Sequence, residues 1–263
     1  MTSVNLALTD SATMLRRNLL HMLRYPSMTL LLAAFPVVFL LLFVYVFGGT
    51  LGAGLSGGPN HQASYVDFVL PGILLLGVAA EAQVTAISVA TDMKEGIIAR
   101  FRAMDISRGS VLTGHVLGSV IQALMSAVVV VGAGLLIGFR PDTGPVGWLA
   151  VAGLLALASL ALSWLSVGCG LWAKTPEGAS NLPMFLTLLP FLGSGFVPTA
   201  SMSAGLRWFA EYQPFTPIIN TLRGLLFGTP AGSDAVIAVG WCVGLTLAGY
   251  AWARTLYRRH PVR

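Results

Sequence analysis

Long apolar runs separated by short polar segments dominate this chain, and their lengths are those of helices that cross a membrane. Residues 27–47 are almost wholly apolar; at 1.5 Å per residue such a helix is ~31 Å long, matching a hydrocarbon core of about 30 Å. The runs 65–90, 111–139, 147–173, 179–198 and 234–257 read the same way, so six spans are expected. None shows the alternating segments of about ten residues that mark a membrane barrel. The fold class expected is an all-α membrane protein with one transmembrane domain over 1–263.

The polar segments fall into kinds. Over 10–26, Leu15, Leu19, Met22 and Leu23 share a helical face while Arg16, Arg17, His21 and Arg24 decorate the rest, which predicts a helix lying in the membrane interface. Gly48 to Ser64 is glycine-rich without Lys or Arg and reads as an exposed loop on the far side. The stretch 91–110, TDMKEGIIARFRAMDISRGS, is the longest charged segment between two long apolar runs. Its Met93, Ile97, Phe101 and Met104 recur at helical spacing, which predicts an amphipathic cytoplasmic helix. Arg140 to Pro145 is a short turn, and Lys174 to Gly178 a tight loop.

The fifth span contains Pro183, Pro190, Gly193, Ser194 and Gly195, so it should be kinked and closely packed. The following segment, 199–232, carries Arg207, Glu211, Gln213 and Arg223 and is too polar to cross. Within it Thr216 is expected to cap a helix with Pro217 first and Gly228 just beyond its end. That helix would be ~16 Å long, half a membrane, and is predicted to be re-entrant from the outer side.

Basic residues orient the spans. Arg16, Arg17, Arg24, Lys94, Arg100, Arg102, Arg108, Lys174, Arg254, Arg258, Arg259 and Arg263 fall on one side of this layout, against Arg140, Arg207 and Arg223 on the other. The excess belongs to the cytoplasm, with both termini. Composition agrees with the pattern: 56% of residues are hydrophobic and 10% charged, against roughly 25% charged in soluble domains. The net charge of +5 sits beside apolar runs rather than in a basic patch with aromatics, so a nucleic-acid partner is excluded. With about 25 polar and amphipathic residues ahead of the first run, no cleavable signal peptide is expected.

Candidate chemistry is sparse. Glu81 is a carboxylate well inside a span, where a charge costs roughly 2.5 to 3.5 kcal/mol, and Gln83 and Thr85 are near it in sequence. Two readings stand: a proton relay or cationic-substrate contact, or a carboxyl kept neutral, hydrogen-bonded or wet between packed helices. Cys169 and Cys242 form no CxxC unit and read as buried packing residues. His21, His61, His115 and His260 form no set and read as solvated, so no metal site is expected. No serine-nucleophile or paired-carboxylate motif occurs, and no GxxxxGK[ST] loop precedes Lys94 or Lys174. The chain is therefore expected to be no enzyme and to hold no ATP.

Two stretches carry a resemblance. EGIIARFRAMDISRGSVLTG, from Glu95 to Gly114, resembles the coupling helix of type-2 ABC exporter permeases, although Asp105 stands where these often carry proline. FVPTASMSAGLRWFAEYQPFTPIINTLRGLLFG, from Phe196 to Gly228, is similar to their C-terminal signature, especially in the daunorubicin-resistance-type permeases of actinobacteria. The resemblance implies a permease of the bacterial cell membrane that exports a hydrophobic drug or natural product. It implies two copies of a separate ATP-binding subunit that carry ATP and Mg, and a second permease chain, identical or homologous. By the same analogy Glu95, Gly96, Ile97, Arg100, Phe101 and Arg102 enter a groove of the ATPase. Glu81, Gln83, Phe35, Phe39, Phe185 and Phe191 are candidates for the substrate pathway. Rival readings are export of a lipid or glycan, an ion-coupled transporter using Glu81, and a membrane assembly subunit that transports nothing.

Overall fold

The computed structural model describes residues 26–53, 61–96, 110–173, 175–230 and 232–259, and the described residues are helical with short connections. The expected interfacial helix at 10–26 lies outside them except for Pro26. α1 (Pro26–Leu41) runs into a π-helical stretch, Leu42–Phe47, and then α2 (Gly48–Ala53). α3 (His61–Lys94), α4 (Ser110–Ile137) and α5 (Pro145–Trp172) follow. α6 (Pro176–Leu188) continues as a 3₁₀ turn at Leu189–Leu192, and another 3₁₀ turn at Thr199–Ser201 precedes α7 (Ala204–Tyr212). α8 (Phe215–Phe227) and α9 (Gly232–Arg259) complete the order.

Five helical stretches among the described residues are long and apolar enough to cross a membrane: 32–52, 65–94, 111–137, 145–172 and 232–258. The chain is a membrane protein. The fifth stretch expected from sequence is instead divided into a 13-residue helix and a 3₁₀ turn. Pro190 supplies no amide for a regular turn, and Gly193 then adopts extended backbone.

α3 is the axis of the fold. Of its apolar window 72% is buried, against 17% to 44% in the other four. α1 crosses it where Pro36 meets Gly77, and α4 runs antiparallel to it, pairing Gly134 with Leu70 and Ser126 with Gly77. The segment after α5 also runs antiparallel to α3. Gln83 bonds to Ser180, and Tyr65 to the carbonyl of Phe196. From the level of Gln83 to that of Tyr65 is about 27 Å along α3.

α5 and α9 lie side by side and parallel. The rings of Trp164 and Tyr250 are 4.9 Å apart, and Trp252 fills the space a Cβ at Gly168 would take. At the other end of the bundle the amide of Asp142, before α5, bonds to the carbonyl of Leu226 in α8. Asn220 of α8 reaches Asp234 in the first turn of α9.

Several boundaries differ from expectation. The 48–64 loop is helical at Gly48–Ala53 and again from His61, because packing against α3 outweighs glycine's weak helix propensity. Thr91–Lys94, expected to open a separate helix, form the last turn of α3. The chain leaves that helix only at Gly96, whose φ of 69° suits glycine. α6 begins within the expected loop, with Pro176 in its first turn and the Thr175 hydroxyl accepting from the Gly178 amide at 3.1 Å. Thr216 does not cap α8. That helix starts two residues earlier, at Phe215 after Pro214, and the Thr216 hydroxyl accepts from the Ser194 amide instead. Gly228, with φ 65°, ends it as expected.

In lipid, helices gain little from hydrophobic segregation and associate through close contact. Gly72 of α3 shows how close: a Cβ there would stand 2.7 Å from the Gly195 carbonyl oxygen. Gly72→Ala should therefore destabilise the protein by about 1–3 kcal/mol. Gly153→Ala in α5, which meets nothing within 4 Å, should be neutral or slightly stabilising. Thermal unfolding of both variants in one detergent checks this, and equal midpoints would sink the packing argument.

Candidate functional site

Three places collect the functional candidates. The C-terminal end of α3 is the first. The Glu95 amide bonds to the Thr91 carbonyl at 2.9 Å and the Gly96 amide to Met93 at 3.2 Å, which closes the helix under Glu95. Ile97, Arg100, Phe101 and Arg102 lie outside the described residues. Beside this terminus Asp92 pairs with His115 of α4, Oδ2 to Nε2, at 3.1 Å with both side chains largely buried. His115 is thus not solvated as expected, because the α3–α4 crossing brings it to a carboxylate twenty-three residues away. Glu177, in the first turn of α6, has its carboxyl held below the usual range by its own backbone amide, then by Thr175, with Lys94 contributing charge. The start of α6 and the end of α3 therefore lie near each other.

The second place is the middle of α3. Glu81 is buried, one helical turn beyond Gly77 and on the same face, so it lies toward α1 and α4. Thr85 donates to its backbone carbonyl at 3.1 Å. Gln83 points elsewhere, its side-chain amide donating to Ser180 of α6 at 3.4 Å. The two residues close in sequence do not form one site, since two positions along a helix turn by about 200°.

The third place is aromatic. Phe35, Phe39, Phe43 and Phe47 recur every fourth residue. In an α-helix that spacing drifts by about 40° per step. The π-helical stretch fits more residues into a turn and takes the drift back, keeping Phe47 in line with Phe43 at 5.5 Å between centroids. Phe35 and Phe39 are 4.9 Å apart. Across from them stand Phe191 and Phe196, stacked at 4.4 Å and 8°. Phe39 meets Phe191 at 5.9 Å, and Phe43 meets Phe196 at 4.4 Å. Of the four phenylalanines singled out in the sequence, the structure brings Phe35, Phe39 and Phe191 together. Phe185 is exposed and joins no ring contact among the described residues. Phe43, Phe47 and Phe196 were missed, and the fourfold spacing was the signal for the first two.

Next to this wall lies a polar cluster that sequence reasoning treated only as outer-side charge. Arg223 of α8 donates to the carbonyls of Phe68 and Ser194 at 3.0 and 2.9 Å, and to Asn220 at 3.2 Å. Its guanidinium carbon stands 4.1 Å from the centroid of the Phe68 ring. Asn220 also accepts from the Ser194 hydroxyl at 2.8 Å and donates to Asp234 at 2.9 Å. No group of His, Cys, Asp and Glu among the described residues could hold a metal. Cys169 and Cys242 are free and buried, as their packing reading requires.

Comparison with known proteins places this geometry. The chain is 27% identical over 253 residues to the daunorubicin resistance ABC transporter permease protein DrrB1 of Streptomyces coeruleorubidus, covering 96% of this chain and 87% of that protein. It is 23% identical to the probable doxorubicin resistance permease DrrC of Mycobacterium tuberculosis, over 85% of this chain and 80% of the relative. It is 25% identical to the inner membrane transport permease YadH of Escherichia coli, over 85% and 86%. The family model for ABC-2 type transporters matches residues 10–227, and the chain belongs to that family.

Proposed function

We propose that this chain is the translocation subunit of an ATP-driven exporter that moves a hydrophobic drug or natural product out of the cell. The observation that carries the reading is the phenylalanine wall, partly open at Phe35 and Phe47, in a chain of this family. Such a surface offers dispersion and ring contacts but few hydrogen bonds, which suits an apolar cargo better than a glycan. The names of two relatives, daunorubicin and doxorubicin resistance permeases, support the same cargo class.

The energy comes from a partner, since the sequence carries no GxxxxGK[ST] loop. We assign that role to two copies of an ABC ATP-binding subunit holding ATP and Mg, acting on this chain and a second permease chain. Because α5 and α9 run parallel, the chain returns once between them. Residues 179–198 make that return as a sixth crossing, and the segment 199–232 re-enters from the outer side. The excess of Lys and Arg places both termini in the cytoplasm of a bacterial cell.

The Thr91–Ser110 stretch then faces the ATPase, with Glu95, Gly96, Ile97, Arg100, Phe101 and Arg102 in its groove. An apolar stripe transmits a push while flanking ion pairs fix its register. Closure of the ATPase pair tilts the spans and opens a path between the permeases along Phe35, Phe39, Phe185 and Phe191. Glu81, buried inside the protomer, is not given the driving role.

Two outcomes are expected. The detergent-solubilised chain should co-purify with its ATPase, and Glu95→Ala with Arg102→Ala should weaken the complex roughly thirtyfold, two ion pairs at about 1 kcal/mol each being lost. Export by vesicles should stop without ATP. An absent ATPase, with export that follows a proton gradient and needs Glu81, would overturn the reading. In the same vesicles Phe39→Ala and Phe191→Ala should each raise the KM for doxorubicin roughly three- to tenfold; unchanged KM values would remove the wall from the path.

A further inference from the structure

We infer that Arg223 is a positioning residue for the aromatic wall: it acts through Ser194 to set where Phe191 and Phe196 stand against α3. The inference rests on the reading of that wall as the cargo path, and it adds a residue that neither the sequence pattern nor the wall itself singles out.

Ser194 lies in the short connection between the stacked rings of Phe191 and Phe196. All three of its polar groups are taken by α8. Its amide donates to Thr216 at 3.3 Å, its hydroxyl to Asn220 at 2.8 Å, and its carbonyl accepts from Arg223 at 2.9 Å. The same guanidinium nitrogen, Nη2, also donates to the Phe68 carbonyl of α3 at 3.0 Å. One atom therefore bridges the connection to the axial helix. Nη1 holds Asn220, which is itself tied to Asp234 at the start of α9. Rings on either side of Ser194 cannot shift along α3 without breaking one arm of this bridge.

The chemistry calls for arginine. Among the described residues no carboxylate pairs with it directly, so the partly buried charge is held by carbonyl dipoles and by the Phe68 ring beneath it. A planar fork can serve Phe68, Ser194 and Asn220 at fixed angles. A lysine keeps the charge but presents one compact head on a flexible stem, and loses the fixed geometry. The competing account is that the close approach of Gly72 and Gly195 alone sets the rings. It predicts that replacing Arg223 moves nothing.

The test uses the full chain in lipid nanodiscs, with para-fluorophenylalanine placed at 191 or at 196. Each stacked ring shifts the other's ¹⁹F resonance. Arg223→Lys should move both resonances toward the free-ring position. In vesicles with the partner ATPase it should raise the KM for doxorubicin about fivefold while the maximal rate stays within twofold. Should Arg223→Lys not yield folded protein, Asn220→Ala, which removes the acceptor of both Nη1 and the Ser194 hydroxyl, is read in the same way. Unchanged resonances overturn the inference, whatever export does. Resonances that move while KM stays constant uphold the positioning by Arg223 and overturn instead the role of the wall in the path.

Discussion

A helix that stops within apolar surroundings leaves backbone amides and carbonyls with no water to satisfy them, and this structure is arranged around one such stop. After Leu192 the returning segment loses helical form, and Ser194, buried, must find partners for its amide, hydroxyl and carbonyl. α8 supplies all of them through Thr216, Asn220 and Arg223. The need to satisfy these groups explains why a helix of only thirteen residues packs inside the bundle rather than outside it. It also explains why that helix carries a partly buried arginine. Each unsatisfied group would cost about 1–3 kcal/mol, so the stop and the helix that seals it are one feature.

The same stop creates the aromatic surface. Phe191 precedes the connection and Phe196 follows it, and the backbone turns just enough to stack the two rings. α1 answers with a ladder of phenylalanines kept in line by its π-helical stretch, a distortion that tends to be found at functional places. Neither half would form a wall alone. A ladder on a straight α-helix would spiral away, and an unbroken fifth helix would separate its two rings.

The end of the bundle at the α3 C-terminus is built on different physics. There the helices end near charged residues: Asp92 meets His115 at 3.1 Å, and the Lys94 charge acts weakly on Glu177. Such contacts hold register between α3, α4 and the start of α6. The half around α8 is tied by carbonyl hydrogen bonds and ring contacts, the half around the α3 C-terminus by contacts between polar side chains.

The sequence by itself determined that the chain is an all-helical membrane protein, because runs of twenty or more apolar residues have no other stable form in lipid. It determined the ends of helices wherever the stop signal is local, as at Gly228, whose left-handed backbone depends on glycine alone. It found Phe35, Phe39 and Phe191, since bulky rings in spans are visible as letters. Only the tertiary structure decided the rest, and in each case a distant partner was the reason. Thr216 looked like a cap but serves Ser194, twenty-two residues earlier. His115 looked solvated but meets Asp92 across a helix crossing. Glu81 and Gln83, neighbours in sequence, turn to opposite packing partners. Arg223 read as a charge for the outer surface, yet its bonds run to Phe68 and Ser194. Local pattern reports what a residue prefers in isolation, whereas a buried polar group is governed by whichever partner the fold brings within hydrogen-bonding reach.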